Sequence, residues 1–328
     1  MKLKAAKKIG CLFAVLLLFF CLLMVLPRLL GWTFPEKPPV GYHFEVLDYL
    51  AVGVGLEKVI VQYPRVPDEI EEIKDIEYKN VNGKSLQLDL YRPKKLSGRV
   101  PLLVFIHGGS WKSGKRSDYL VYLVAFAQKG YMTATVSYRL LKESPYPACA
   151  EDVTDAVRWL MGNGKTYGYD PSRICLIGGS AGAHLALLAA YGWGENMEND
   201  SSHKYPKPIK AVVDIYGPAD LTTPYARQQH LVTDFIAHSW QQRPDLFQEA
   251  SPIRYVTADD PPTLILHGTS DNLVPLSQSD SLKARLDKMK VPCIYHRLPL
   301  WPHTMDVVQR VNDFTQSEMD GFFEQYLR

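Results

Sequence analysis

Residues 178–182 read Gly-Gly-Ser-Ala-Gly, directly after the apolar run 174–177 and directly before an Ala/Leu-rich stretch, 183–191. A serine flanked by glycines on a tight strand-to-helix turn projects from the backbone, and the helix amino terminus beside it favours a developing negative charge. Ser180 is therefore a candidate nucleophile for acyl transfer. That chemistry also needs convergent N–H donors for the tetrahedral oxyanion. His107-Gly108-Gly109-Ser110-Trp111 follows the apolar run 100–106 and offers the amides of Gly109 and Ser110, with Ala181 as a third. A serine hydroxyl is a poor nucleophile near neutral pH until an imidazole takes its proton, and a carboxylate must fix that imidazole's tautomer.

These residues occur with Ser137-Tyr138-Arg139-Leu140 at the end of another strand-like run, and with Pro147-Ala148 opening a stretch that carries Asp152 and Trp159. Together they resemble the α/β-hydrolase superfamily, specifically its carboxylesterase branch of hormone-sensitive lipase-like and feruloyl/acetyl esterase-like proteins. The resemblance covers 73–327. Where that branch often carries HGGG, the fourth position here is Ser110 followed by Trp111, the HGGxW variant. The resemblance implies that the acid and then the histidine follow the nucleophile. Asp271 lies in the loop 269–275 after the run TLILHG, and His303 lies after YHRL with no later histidine in the sequence. The implied protein is a serine carboxylic-ester hydrolase acting on a small-molecule ester through an acyl-enzyme. Its triad is Ser180, Asp271 and His303, and its oxyanion hole is Gly109, Ser110 and Ala181. The resemblance implies neither metal nor organic cofactor. An acyltransferase or serine peptidase on the same fold, or a non-catalytic interaction protein, are the alternatives.

The remaining chemistry-bearing residues take plainer readings. His107 reads as a brace of the oxyanion loop, His184 as a packing residue, and His267 as the residue preceding the acid turn. Asp214, closing an apolar strand, is a rival acid. Arg139 and Asp152 form a structural ion pair. Trp111 is a candidate substrate-binding residue, while Tyr138 and Trp301 belong either to the pocket or to the core. Residues 109–115 spell G-x-x-x-x-G-K, but Arg116 stands where a phosphate-binding loop needs a hydroxyl for magnesium. The sequence contains no HExxH.

Positioning these residues requires a regular scaffold. Residues 73–81 and 85–91 flank Asn82-Gly83, a hairpin signal. Strand-like runs at 100–106, 132–137, 174–177, 210–215, 263–266 and 293–298 then alternate with helix-like runs at 118–128, 148–161, 183–191, 277–288 and 305–326. That alternation predicts an α/β fold, a mostly parallel sheet with helices on both faces. Two stretches interrupt it: 193–208, polar and acidic, and 217–262, with one helix expected near 230–239. Both should emerge at carboxyl ends of strands, where they form a small cap.

The chain has 328 residues and a net charge of +2, yet Lys2, Lys4, Lys7, Lys8 and Arg28 all fall within the first 31. Removing those five charges leaves 32–328 at −3, which excludes nucleic-acid binding on electrostatic grounds. The uncharged run 9–26, ended by Pro27 and Arg28, would span about 27 Å as a helix. Its basic flank favours the cytoplasm, predicting one transmembrane helix, 1–31, acting as an uncleaved signal anchor with the remainder extracytoplasmic or lumenal. A cleaved signal, giving a secreted protein, and a soluble core helix are the alternatives. Residues 32–72 read as linker and amino-terminal arm, within which 42–61 either packs on the body or lies on the membrane near the site. Residues 73–328 read as the catalytic domain. The 5 cysteines include no CxxC pair, and Cys149, Cys175 and Cys293 read as free thiols, buried for the most part.

Overall fold

A computed structural model describes residues 2–33, 37–43, 45–96, 98–192 and 209–327. The strands are β1 (Ile70–Val81), β2 (Lys84–Pro93), β3 (Val100–Ile106), β4 (Met132–Val136), β5 (Tyr169–Gly179), β6 (Ile209–Ile215), β7 (Thr263–Gly268) and β8 (Cys293–Leu298). They form one sheet in the order β1-β2-β4-β3-β5-β6-β7-β8. β1, β2 and β4 pair antiparallel, and every other neighbouring pair is parallel. The β1–β2 turn is Asn82-Gly83, with φ of 51° and 85°, the doubly left-handed geometry that Asn-Gly tolerates.

The helices are α1 (Lys2–Thr33), α2 (Glu45–Gly53), α3 (Leu120–Gln128), α4 (Ala148–Tyr167), α5 (Ala181–Tyr191), α6 (Pro224–Gln228), α7 (His230–Ile236), α8 (Pro244–Glu249), α9 (Ser277–Met289) and α10 (Gln309–Tyr326). Strand alternation divides β3 between two core layers. Leu102, Val104 and Ile106 pack with α4, α5 and α9, whereas Leu103 and Phe105 pack with α3 and α10. These side chains are fully buried, each contributing roughly 1.5–3 kcal/mol of apolar transfer free energy. The carboxyl edge of the resulting sheet carries the three loops with Ser180, Asp271 and His303.

Three local expectations are corrected. α1 does not stop at Pro27 but continues to Thr33, because a proline removes one intrahelical bond without ending a helix already several turns long. α4 runs past Gly162 and Gly164 to Tyr167: a Cβ at Gly164 would crowd Pro171, and Gly168 closes the helix in the left-handed region at φ 91°. The insertion 217–262 holds three short helices, α6, α7 and α8, and a 3-10 turn at Pro252–Tyr255, instead of one helix. The expected cap segment 193–208 lies outside the described residues.

The segment after α1 packs on the body. Met24 of α1 joins Tyr42, Leu47 and Ala51 in a small apolar cluster. The amide of Gly41 donates to the carbonyl of Pro299 (2.7 Å), and the Trp301 indole donates to the carbonyl of Pro39 (2.8 Å). Further on, Ile60 donates to Val307 (2.9 Å) and Gln309 to Lys58 (2.8 Å). Buried Glu57 accepts from Arg310 Nε at 2.7 Å and from the Tyr42 hydroxyl at 3.0 Å. The arm thus holds both ends of the loop that carries His303.

Candidate active site

Ser180 joins β5 to α5 with φ 54° and ψ −123°, a strained conformation for a residue with a Cβ. The turn is held by a bond from its own amide to Ile215 O (2.9 Å). The flanking glycines are required by close approach. A Cβ on Gly182 would overlap the carbonyl oxygen of Ile106, and one on Gly178 would overlap the backbone of Gly182.

His303 follows β8, and its Nε2 lies 3.0 Å from Ser180 Oγ. Its Nδ1 lies 2.6 Å from Asp271 Oδ2, short enough for a charge-assisted bond. Because an ionised carboxylate only accepts, His303 carries its proton on Nδ1 and leaves Nε2 to accept from the serine hydroxyl. Asp271 Oδ1 accepts the amides of Leu273 (2.9 Å) and Val274 (2.8 Å). Burial alone would raise this carboxyl's pKa. Bonds from His267, His303 and the Val274 amide outweigh it and hold the group well below the usual carboxylate range.

Gly109, Ser110 and Trp111 are consecutive left-handed residues, with φ of 104°, 53° and 57°. They fold the loop back toward the nucleophile, and Gly108 lies against it: a Cβ there would be 2.8 Å from Gly179 O. Among the described residues no protein acceptor takes the amides of Gly109, Ser110 or Ala181. His107 braces the loop by donating from Nδ1 to Gly108 O (2.9 Å) and by stacking on Tyr138 at 4.2 Å. Burial lowers its pKa.

Two cavities meet at Ser110 and Ser180. One, about 480 Å³, is almost wholly apolar, walled by Trp111, Leu221, Val232, Leu273 and Pro275. The other, about 1050 Å³, holds His303 and is lined by Val59, Ile60, Tyr216, Asp306 and Val307. Trp111 thus forms pocket wall while also stacking on Phe235 at 4.2 Å. Tyr138 and Trp301 are core residues and line neither cavity.

Asp214 is fully buried and accepts the Gly217 amide at 2.7 Å; His303 bonds to Asp271 instead. Burial pushes its carboxyl up to about 7. His184 donates to Ala250 O at 2.8 Å, and burial lowers its pKa to about 4. Arg139 and Asp152 form the expected ion pair at 2.7 Å, joined by Lys79. Cys149 and Cys175 are buried free thiols, and Cys293 is half-buried.

Two groups beside the triad are barely signalled by the spacing. His267 is fully buried, with Nε2 3.2 Å from Asp271 Oδ2 and 2.9 Å from Val274 O, and Nδ1 2.7 Å from Ser279 Oγ. Tyr216 places its ring 4.6 Å from that of His303 and donates, as does Tyr122, to buried Asp306. The four-residue spacing of His267 to Asp271 is the one visible hint, and it needs the loop geometry to be read.

The comparisons agree with this fold. Esterase LipQ of Mycobacterium tuberculosis is 32% identical over 250 residues, covering 73% of this chain and 59% of that protein. The probable carboxylic ester hydrolase LipM of the same organism is 30% identical, covering 69% and 54%. The chain therefore spans little more than half the length of these relatives. A thermophilic esterase of Thermogutta terrifontis, solved with propionate bound, superposes with a TM-score of 0.66 at 24% identity, covering 80% of this chain and 96% of that one. At that identity the likeness is one of fold, an α/β-hydrolase fold. The BD-FAE family model matches residues 88–286, which run from β2 through the serine turn and the acid loop into α9, and the chain belongs to that family.

Proposed function

We propose that this protein is a serine carboxylic-ester hydrolase. The observation that carries the reading is the continuous chain of hydrogen bonds from Ser180 Oγ through His303 to Asp271, at the junction of two cavities. Ser180 Oγ attacks the ester carbonyl while His303 Nε2 takes its proton, and the amides of Gly109, Ser110 and Ala181 receive the oxyanion. The acyl C–O bond then breaks, and the alcohol departs with the proton from His303. Water enters, gives a proton to His303 and its hydroxyl to the acyl carbon, and the carboxylic acid leaves as Ser180 recovers its hydrogen. The leaving oxygen must lie at His303 Nε2. That requirement assigns the wide cavity to the alcohol and the narrow apolar one to a short acyl group.

The supporting experiment is hydrolysis of p-nitrophenyl esters of increasing acyl length. Acetate to butyrate should be turned over, long acyl chains at least about 10-fold more slowly, and Ser180→Ala should lose about 10⁴-fold or more of the activity. Wild type no faster than Ser180→Ala on every ester contradicts the reading.

In this reading 1–31 is a single-pass signal anchor, 32–72 a linker and arm, and 73–328 the catalytic domain on the extracytoplasmic or lumenal side. The apolar window Phe13–Leu30, whose side chains are mostly exposed, supports the anchor. Full-length protein should stay in membranes through salt and carbonate washes, and a chain lacking 1–31 should not. Release of the intact chain by those washes refutes the anchor.

A further inference from the structure

Outside α1, the exposed large apolar side chains among the described residues lie on the arm and on the wall of the His303-side cavity. On the arm they begin with Val46, Tyr49, Leu50 and Val54, on and just after α2. They continue with Val59, Val61 and Tyr63. On the body there are two, Leu273 and Val307, and both line the His303-side cavity, where Val307 shares the wall with Val59. Single exposed apolar residues need no explanation, but a set that recurs along one segment up to the wall of a site does.

α2 is apolar on two faces. Leu47 and Ala51 pack inward with Tyr42 and Met24, while Val46, Tyr49 and Leu50, spaced three and four apart, form the opposite, uncovered face. The arm's buried acid, Glu57, is neutralised by Arg310 and by Arg28 of α1, the latter at 3.6 Å. At the far end Lys115 places its ammonium 4.7 Å over the ring of Tyr63, a pairing of cation and aromatic suited to a headgroup layer. α1 touches this same arm through Met24 and Arg28, within and near the end of its apolar window. A helix spanning a bilayer would therefore deliver the uncovered face of α2 to the bilayer surface.

We infer that this face docks on the lipid bilayer that α1 enters, and that the site takes short-acyl esters of long-chain, membrane-partitioned alcohols. The inference rests on the ester-hydrolase reading above. The alcohol chain rises from the lipid along Val59 and Val307 toward His303, and the short acyl group occupies the narrow apolar cavity. The acyl C–O bond breaks, and the acyl group passes to Ser180 and then to water. The alcohol, protonated by His303, stays in the bilayer, while the carboxylate leaves to the aqueous side.

The test uses full-length protein in phosphatidylcholine vesicles with the body outside. Acetate release from hexadecyl acetate held in the bilayer is compared with hydrolysis of water-soluble p-nitrophenyl acetate. Replacing Val46, Tyr49, Val54 and Val61 together by serine should cut the bilayer rate about 10-fold or more and leave the soluble rate within about 2-fold. Separately, Tyr49→Trp emission should be quenched by brominated acyl chains in the vesicles. Equal losses on both esters, no loss on the bilayer ester, or no quenching overturns the inference. Absent quenching with dimers in sedimentation assigns the face to a second copy instead. If wild type hydrolyses neither ester, the hydrolase reading and with it the substrate class fall, while quenching still decides the docking.

Discussion

His267 bonds the same Asp271 oxygen, Oδ2, as His303 and is itself fixed by Ser279 Oγ. It touches no reacting atom, so it acts by positioning the carboxylate. The Asp271 carboxyl holds its proton less readily in the folded protein than in the unfolded chain. Its contribution to stability is therefore present above the ordinary carboxylate range and is lost as pH falls through that range and below it. His267→Ala should lower kcat about 10-fold with KM within about 2-fold, and should move the acid-unfolding midpoint upward. His267→Gln, which keeps an N–H for the carboxylate, should recover most of the rate. An unchanged kcat, or a loss confined to KM, contradicts this role. Ser180, Asp271 and His303 were legible because each follows a strand-like run in the order such triads take. His267 was not, because its meaning depends on Ser279 and Val274, which only the turn into α9 brings to it.

At the scale of elements, the arm and the His303 loop act as one unit. Hydrogen bonds from Gly41, Trp301, Ile60 and Gln309 join them on both sides of His303, and the Glu57–Arg310 pair is the buried link between arm and α10. Glu57 is 3% exposed, so removing its main partner leaves a carboxylate in the interior. Arg310→Ala should destabilise the fold by about 3 kcal/mol, measured by urea unfolding at neutral pH. A cost below about 1 kcal/mol would show that the pair does not hold the arm. Most strands and the helix at 183–191 were readable from period and flanking turns. The carboxyl end of α4 and the short helices α6–α8 were not, since their stability is tertiary. Gln278 bonds the amides of Ala219 and Asp220, Ser251 bonds that of Leu221, and His184 bonds Ala250. Helices of five to seven residues show no usable apolar period.

For the whole molecule, the sequence divides by charge before it divides by structure. The basic tip and the mildly acidic remainder meet in the arm, which touches both α1 and the loop of His303. The arm was expected either to pack on the body or to lie on the membrane, but its partners at 299–310 lie about 250–270 residues away in sequence, beyond any local pattern. The proposed ester hydrolysis depends on Ser180 being a nucleophile activated by His303, which Asp271 orients. The most direct measurement is mass spectrometry of the intact protein and its peptides after brief exposure to a fluorophosphonate, in wild type and in His303→Ala. One adduct on the peptide containing Ser180, formed at least about 10³-fold more slowly in His303→Ala, is the expected result. Labelling at another residue, or at equal rates in the two proteins, would contradict it.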